Sequence, residues 1–413
     1  MGPITLFDKS FLQSLSLDES VWFDHFFITN VCPLFYIETL ADLGKPDSDK
    51  RSAVETVRMI ADKFPDTSSG PCTLHTELVL QSLLGKNVPM TGQVPLATAR
   101  VVQFEGTLNA ISEDSPVAAA FYRWQDEEFE AIEHEIASKW REDLARLNLE
   151  AQPELLRYWT PFQARCATLQ EASDLAKAFA TATDIPLLRL EICMTLLQVP
   201  KDREKTIRAR WVQLGYPSLA QFAPYASFVL SIIIFFHLSI GASLISPNRA
   251  SNLTDVAYLF YLPFCMIFVS SDKLHSRIAP LFLRQNQEYV WGPELKASLT
   301  ELNLYYSLFD EKEKQKGIYK LAPEPPQHLP TLVSDLWDRH IPKWREPQAP
   351  EEEGAAKART DAIRKKVELM EQASPVAPAS EKGQYPKIES VTIKRKVRQR
   401  KGEWYRIPKN VKD

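Results

Sequence analysis

Asp8, Glu38, Asp255 and Asp272 are the side chains of this 413-residue chain whose type and placement point to chemistry. Asp8 directly follows the apolar run Ile4 to Phe7, and Asp272 follows the apolar run Cys265 to Val269 across Ser270 and Ser271. Asp255 falls in the first turn of a helix whose start is marked by Asn252 and Thr254, and Glu38 lies in an early helix. In open α/β sheets ligands sit at the carboxyl ends of the strands, the position that Asp8 and Asp272 would take. Several carboxylates at one sheet edge repel one another unless a hard divalent cation neutralises them. Mg²⁺ or Mn²⁺ bound in this way lowers the pKa of a water molecule, orients a phosphodiester and stabilises its leaving oxygen. Such chemistry requires no thiolate, Ser-His pair or Gly-rich loop.

The elements that position these acids alternate at both ends of the chain. The N-terminal stretch reads as strand Ile4 to Phe7, a helix with Phe11, Leu12 and Leu15 on one face, an aromatic helix Glu19 to Phe27, strand Ile28 to Leu34, and helix Tyr36 to Leu43. Near the other end, Pro263 stops a short helix, the run Cys265 to Val269 reads as a strand buried on both faces, and Glu288 to Trp291 is the last strand, before helix Glu294 to Leu304. Alternation of this kind predicts an α/β fold, a three-layer α/β/α sandwich with a central parallel sheet. Between the two parts, helical spacing dominates over Arg51 to Lys63, His75 to Leu84, Pro116 to Leu147, Pro153 to Thr181 and Ile185 to Leu197, which predicts a large all-helical insertion. The expected divisions are residues 1–45 and 246–344 for the two parts of the core, 46–245 for the insertion, and 345–413 for a charged, Pro/Ala-rich linker with a disordered basic tail.

Composition narrows the class. The 49 basic and 53 acidic residues nearly cancel, so bulk charge neither signals nor excludes a nucleic-acid partner. Five scattered cysteines without C-x-x-C spacing read as buried thiols in a reducing cytoplasm, and the first residues lack a secretory signal pattern. Ala226 to Ile245 has the length of a membrane span, but its serines and its place before the acid-bearing unit favour a buried helix, so a membrane partner is not expected. Lys394 to Lys401, with Trp404 and Tyr405, has the charge and aromatics to bind single-stranded nucleic acid, and equally the composition of a solubilising tail.

At the four acids the chain resembles the PIN-like nuclease superfamily. The matching features are Asp8 with Ser10 two residues on, Glu38 in an early helix, Asp255 opening a late helix, and Asp272 after the following strand. The resemblance covers roughly residues 2–43 and 252–304, and departs from the family in the long stretch between Glu38 and Asp255. It implies a metal-dependent endonuclease, most often acting on RNA, in which Asp8, Glu38, Asp255 and Asp272 hold Mg²⁺ or Mn²⁺ directly or through water. Attack by a metal-activated water would leave a 3′-hydroxyl and a 5′-phosphate. Lys9, Lys273 and Arg277 are candidates for phosphate contact, and Ser10 and Ser271 for holding a water or a phosphate oxygen. Each acid also has a plainer role as a helix cap, a dipole partner worth under about 1 kcal/mol or a solvated residue. His25 and His275 are read as supporting groups at most. A noncatalytic protein that binds a protein partner through the helical insertion, and a DNA-directed nuclease, are the alternatives.

Overall fold

Short apolar runs that end in an acid or a serine become the middle of the sheet. The computed structural model describes residues 2–47, 51–97, 99–112, 116–147, 149, 166–346, 353–374 and 388–411. In chain order the described strands are β1 (Ile4–Phe7), β2 (Ile28–Val31), β3 (Ser69–Pro71), β4 (Ala99–Phe104), β5 (Thr107–Ser112), β6 (Ile267–Ser270), β7 (Glu288–Trp291), β8 (Ile388–Ile393), β9 (Arg400–Lys401) and β10 (Trp404–Tyr405). Five of them form one parallel sheet in the order β3-β2-β1-β6-β7. A single row, Ser69, Thr29, Thr5, Ile267 and Glu288, runs across all five strands. All four residues of β6 are buried, so both of its faces are covered, as a sheet flanked by helices requires.

The order reverses at β1. The chain moves outward from β1 to β2 and β3, then returns to place β6 on the other side of β1 and β7 beyond it. Parallel strands diverging in this way open a crevice at their carboxyl ends. The register pairs Phe7 with Val269, so Asp8 and Ser270 leave the sheet side by side, and the amide of Asp8 donates to the carbonyl of Val269 at 3.3 Å.

Local sequence sets the helices around this edge. Asp8 caps the helix Lys9–Ser14 by accepting from the Phe11 amide at 2.9 Å, and Ser16 with Glu19 forms a capping box on Leu17–Phe26. Pro33 starts the helix Pro33–Leu40 where a strand to Leu34 was expected, since its ring lacks the amide a ladder needs and fits the first helical turn. Asn252 does not cap the helix Asn252–Tyr258; its side chain donates to the Ser246 carbonyl at 2.9 Å. Pro263 lies inside the 3-10 turn Leu259–Phe264 that joins this helix to β6.

The stretch expected to be all helical is not. β3 belongs to the central sheet, and β4 and β5 form an antiparallel hairpin in a separate sheet. Pro116 to Leu147 is two helices, Pro116–Gln125 and Ala131–Arg146, separated at Glu127, whose φ is +59°. Lys201–Gln213 is an additional helix, and the expected helix Pro153 to Thr181 is described only over Leu169–Thr181, residues 151–165 lying outside the described part. The apolar segment forms the helix Pro224–Gly241, long and apolar enough to cross a membrane, with 78 % of its span buried inside the protein against the helices Leu169–Thr181 and His75–Leu83.

The stretch expected to be linker and disordered tail carries regular structure in its described parts. Glu353–Gln372 is helical, β8 pairs in parallel with β5, and residues 394–411 dock on the core. Trp404 is buried against Trp22 and donates to Asn303 at 2.9 Å. Arg406 forms a buried ion pair with Asp66, and Lys401 donates to the Phe64 carbonyl at 2.8 Å. Several cations of the basic run are thus engaged internally, with Arg398 on Asp126 and Arg395 on Ser69. Residues 375–387, most of the proposed linker, lie outside the described part. The five cysteines are free and buried.

Candidate functional site

The crevice between β1 and β6 gathers the acids from both ends of the chain, each with a different set of partners. Asp8 is buried and its carboxylate is well supplied: Oδ1 accepts from the Phe11 amide at 2.9 Å, and Oδ2 accepts from Ser10 at 2.6 Å and Ser270 at 2.8 Å. His275, on the helix Lys273–Ile278, places Nδ1 3.6 Å from Asp8 Oδ2 and 2.7 Å from Ser270 Oγ. Its Nε2 donates to the backbone carbonyl of Asp255 at 2.6 Å. The imidazole therefore ties β1, β6 and the helix of Asp255 together.

This Ser-His-Asp contact is not a nucleophile site. Ser270 is fully buried and gives its proton to Asp8, while Nε2 of the histidine is committed to a carbonyl. Burial works against charge on His275, but the hydrogen bond and charge of Asp8 outweigh it and push the imidazole up to about 9. Burial likewise raises Asp8, yet His275, Ser10 and the Phe11 amide together hold it below the usual carboxylate range.

Glu38 accepts from the Tyr258 hydroxyl at 2.5 Å. Burial is the main cause that lifts its carboxyl above the ordinary range; the charge of Asp8 adds to it, while Lys9 and Tyr258 oppose it. Asp272 caps the helix Lys273–Ile278 through the Leu274 amide at 2.6 Å, and its other oxygen lies 3.4 Å from Arg249. Asp255 is buried, and its Oδ2 accepts no hydrogen bond; Arg249 stands 3.8 Å away. Burial, with repulsion from Asp272 and Glu38, raises this carboxyl to about 7 against the pull of His275 and Arg249.

Among the described residues, no group of three or more His, Cys, Asp or Glu side chains is placed to hold a metal ion. The four acids border one crevice, but they do not form one direct coordination shell. Asp8 is engaged by hydroxyls and an imidazole, and Glu38 by a phenol. The pair Asp255 and Asp272 does suit a hard cation, because Mg²⁺ commonly takes one or two carboxylates and keeps its remaining waters. The unpartnered, buried oxygen of Asp255 is the feature that fits such an ion.

Of the residues expected to contact substrate, Ser10 and Ser271 lie beside Asp8: Ser10 Oγ donates to Asp8 and accepts from the Ser271 amide at 3.3 Å, and Ser271 Oγ is buried without a hydrogen-bond partner. Lys9 is turned away toward Asp42, 3.1 Å distant, and the Glu38 carbonyl at 3.0 Å. Lys273 is exposed, and Arg277, also exposed, donates to the Leu244 carbonyl at 3.4 Å. Gly292 closes against Ser271, and any side chain there would collide with its hydroxyl.

No family model, curated protein or solved structure gives a match to this chain. The site therefore stands on its own geometry.

Two of its groups carry little sequence signal. Arg249 lies in a polar loop with no motif, and Ser270 reads as one of two adjacent serines. Tyr258 had a signal: it lies three residues after Asp255, so both fall on one face of the helix. His275, expected to be a supporting group at most, is the buried centre of the hydrogen-bond network.

Proposed function

We propose that the chain is a divalent-metal-dependent phosphodiesterase, an endonuclease of the PIN-like kind with an α/β/α core, acting on RNA. The observation that carries this reading is the crevice at the β1/β6 switch, where Asp255 keeps a buried oxygen free of hydrogen bonds beside Asp272. RNA as the substrate class comes from the resemblance alone.

In this reading Asp255 and Asp272 hold Mg²⁺ or Mn²⁺, with Asp8 and Glu38 behind them. The cation supplies positive charge that activates water and stabilises the phosphodiester's oxygens. Asp8, fixed by Ser10, Ser270 and the Phe11 amide, sets the shape and charge of the crevice floor. Glu38, whose carboxyl already favours the protonated form more than an ordinary carboxylate, takes a proton from the attacking water. Ser10 spends its proton on Asp8 and so holds that carboxylate in place, and Ser271 orients Ser10 through its amide. The test is cleavage of single-stranded RNA and DNA oligonucleotides with Mn²⁺ by the wild type and by Asp8→Asn and Asp272→Asn. Loss of activity with an intact fold is expected, and full activity in either variant refutes the assignment.

A second reading follows from the cations that already neutralise the site. His275 and Arg249 stand against the acids, as they would in a noncatalytic protein that kept the sheet and binds partners elsewhere. Calorimetry showing no uptake of Mn²⁺ would favour it.

A further inference from the structure

Arg249 stands over the two acids proposed to hold the cation. Its Nη2 lies 3.4 Å from Asp272 Oδ2 and 3.8 Å from Asp255 Oδ2, while its Nε donates to Ser251 Oγ at 3.0 Å. The side chains differ sharply in exposure: Arg249 is 59 % exposed, Asp255 12 % and Asp272 16 %. The guanidinium thus balances two enclosed carboxylates from the solvent side. It does so incompletely, since Asp255 Oδ2 still accepts no hydrogen bond. A small doubly charged ion reaches that oxygen where a planar guanidinium does not.

The neighbouring cations are differently placed. Lys9 is held by Asp42 and a carbonyl, and Arg277 leans on the Leu244 carbonyl. Arg249 is a long, exposed fork, and an exposed ion pair of this kind contributes little, so exchanging it costs little. The fork geometry of a guanidinium matches two oxygens of a phosphate.

We propose that Arg249 is a displaceable counter-ion: it covers Asp255 and Asp272 while no divalent cation is bound, and it engages the nucleic-acid phosphate once a cation has taken its place. The inference rests on the function proposed above, and it adds a substrate-binding role for a residue outside the four acids.

The test uses the full chain as wild type, Arg249→Ala and Arg249→Lys. Calorimetric titration with Mn²⁺ alone reads the first half: Arg249→Ala should bind Mn²⁺ about three- to tenfold more tightly, the loss of a weak competing pair. Steady-state cleavage of an RNA oligonucleotide at saturating Mn²⁺ reads the second half. KM should rise about tenfold in Arg249→Ala with little change in kcat, and Arg249→Lys should recover part of the loss. Unchanged or weaker Mn²⁺ binding by Arg249→Ala overturns the counter-ion role, and unchanged KM overturns the phosphate role. A wild type that binds Mn²⁺ and cleaves RNA alongside an indifferent Arg249→Ala defeats this inference alone. A wild type that binds no Mn²⁺ defeats the proposed function and the inference together.

Discussion

The carboxylate of Asp8 and the imidazole of His275 form a buried pair that joins two distant parts of the chain: Oδ2 lies 3.6 Å from Nδ1, and the hydroxyl of Ser270 touches both. Removing the imidazole leaves Asp8 enclosed with its hydroxyl donors but without its opposite charge. Breaking a buried pair from one side costs about 3 kcal/mol or more.

The pH dependence of that pair has a definite sign. His275 is raised in the folded state, so its contribution is complete below its unfolded value of 6.5 and fades as the pH climbs through about 9. Asp8 is depressed, so its contribution is present above 3.8 and is lost as the pH falls through its folded value. His275→Ala should therefore lose most stability near pH 6 and distinctly less at pH 9.5. Urea unfolding at the two pH values measures this, and an equal deficit at both contradicts it.

Asp255 behaves in the opposite sense. Its carboxyl is raised to about 7, chiefly by burial, so the folded state resists ionisation and a cost builds between pH 3.8 and 7. Asp255→Asn should stabilise the metal-free protein at pH 8, by about 2 kcal/mol, and change little at pH 4. The same substitution should weaken Mn²⁺ binding. Denaturant midpoints at the two pH values, with and without Mn²⁺, separate the two effects.

Tyr258→Phe removes the donor that Glu38 accepts at 2.5 Å. The hydroxyl lowers the Glu38 carboxyl against burial, so its loss should move that carboxyl further up. In the proposed reaction the acid limb of the pH–rate profile should shift to higher pH. A profile that superimposes on the wild type would detach Glu38 from proton transfer.

Residues 388–411 are expected to act as a clasp for the fold rather than as a free nucleic-acid tether. Arg406→Ala leaves Asp66 buried and unpaired, at a cost of about 3 kcal/mol, and Trp404→Ala opens a cavity beside Trp22 of similar cost. Deleting residues 388–413 should lower the denaturation midpoint more than either point variant. The slope of RNA affinity against salt should hardly change, because several of these cations already have protein partners. A large drop in slope with unchanged stability would restore the tether.

Much of the sheet was legible in local patterns. β1 and β7 match the apolar runs residue for residue, and β6 is displaced by one or two positions from its expected bounds. β3 was not legible: Ser-Gly-Pro has no alternating pattern, and it becomes a strand only because the β2 edge offers it partners. The C-terminal residues read as a solvated basic tail because charge and aromatic content do not reveal the partners that wait for them, Asn303 101 residues earlier and Trp22, Phe64 and Asp66 more than 300.

The sequence by itself determined where β1 ends and, to within one residue, where β6 ends, because a run of apolar side chains stopped by Asp8 or by Ser270 to Asp272 states its own boundary. It thereby singled out Asp8 and Asp272, while Glu38 and Asp255 were singled out by their places in helices. Only the tertiary structure decided what each acid meets. Asp8 meets His275 and Ser270, Glu38 meets Tyr258, and Asp255 and Asp272 meet Arg249. The pairings of Asp8 and Glu38 follow from the return of β6 to the side of β1, which joins residues more than 200 positions apart that no local spacing encodes.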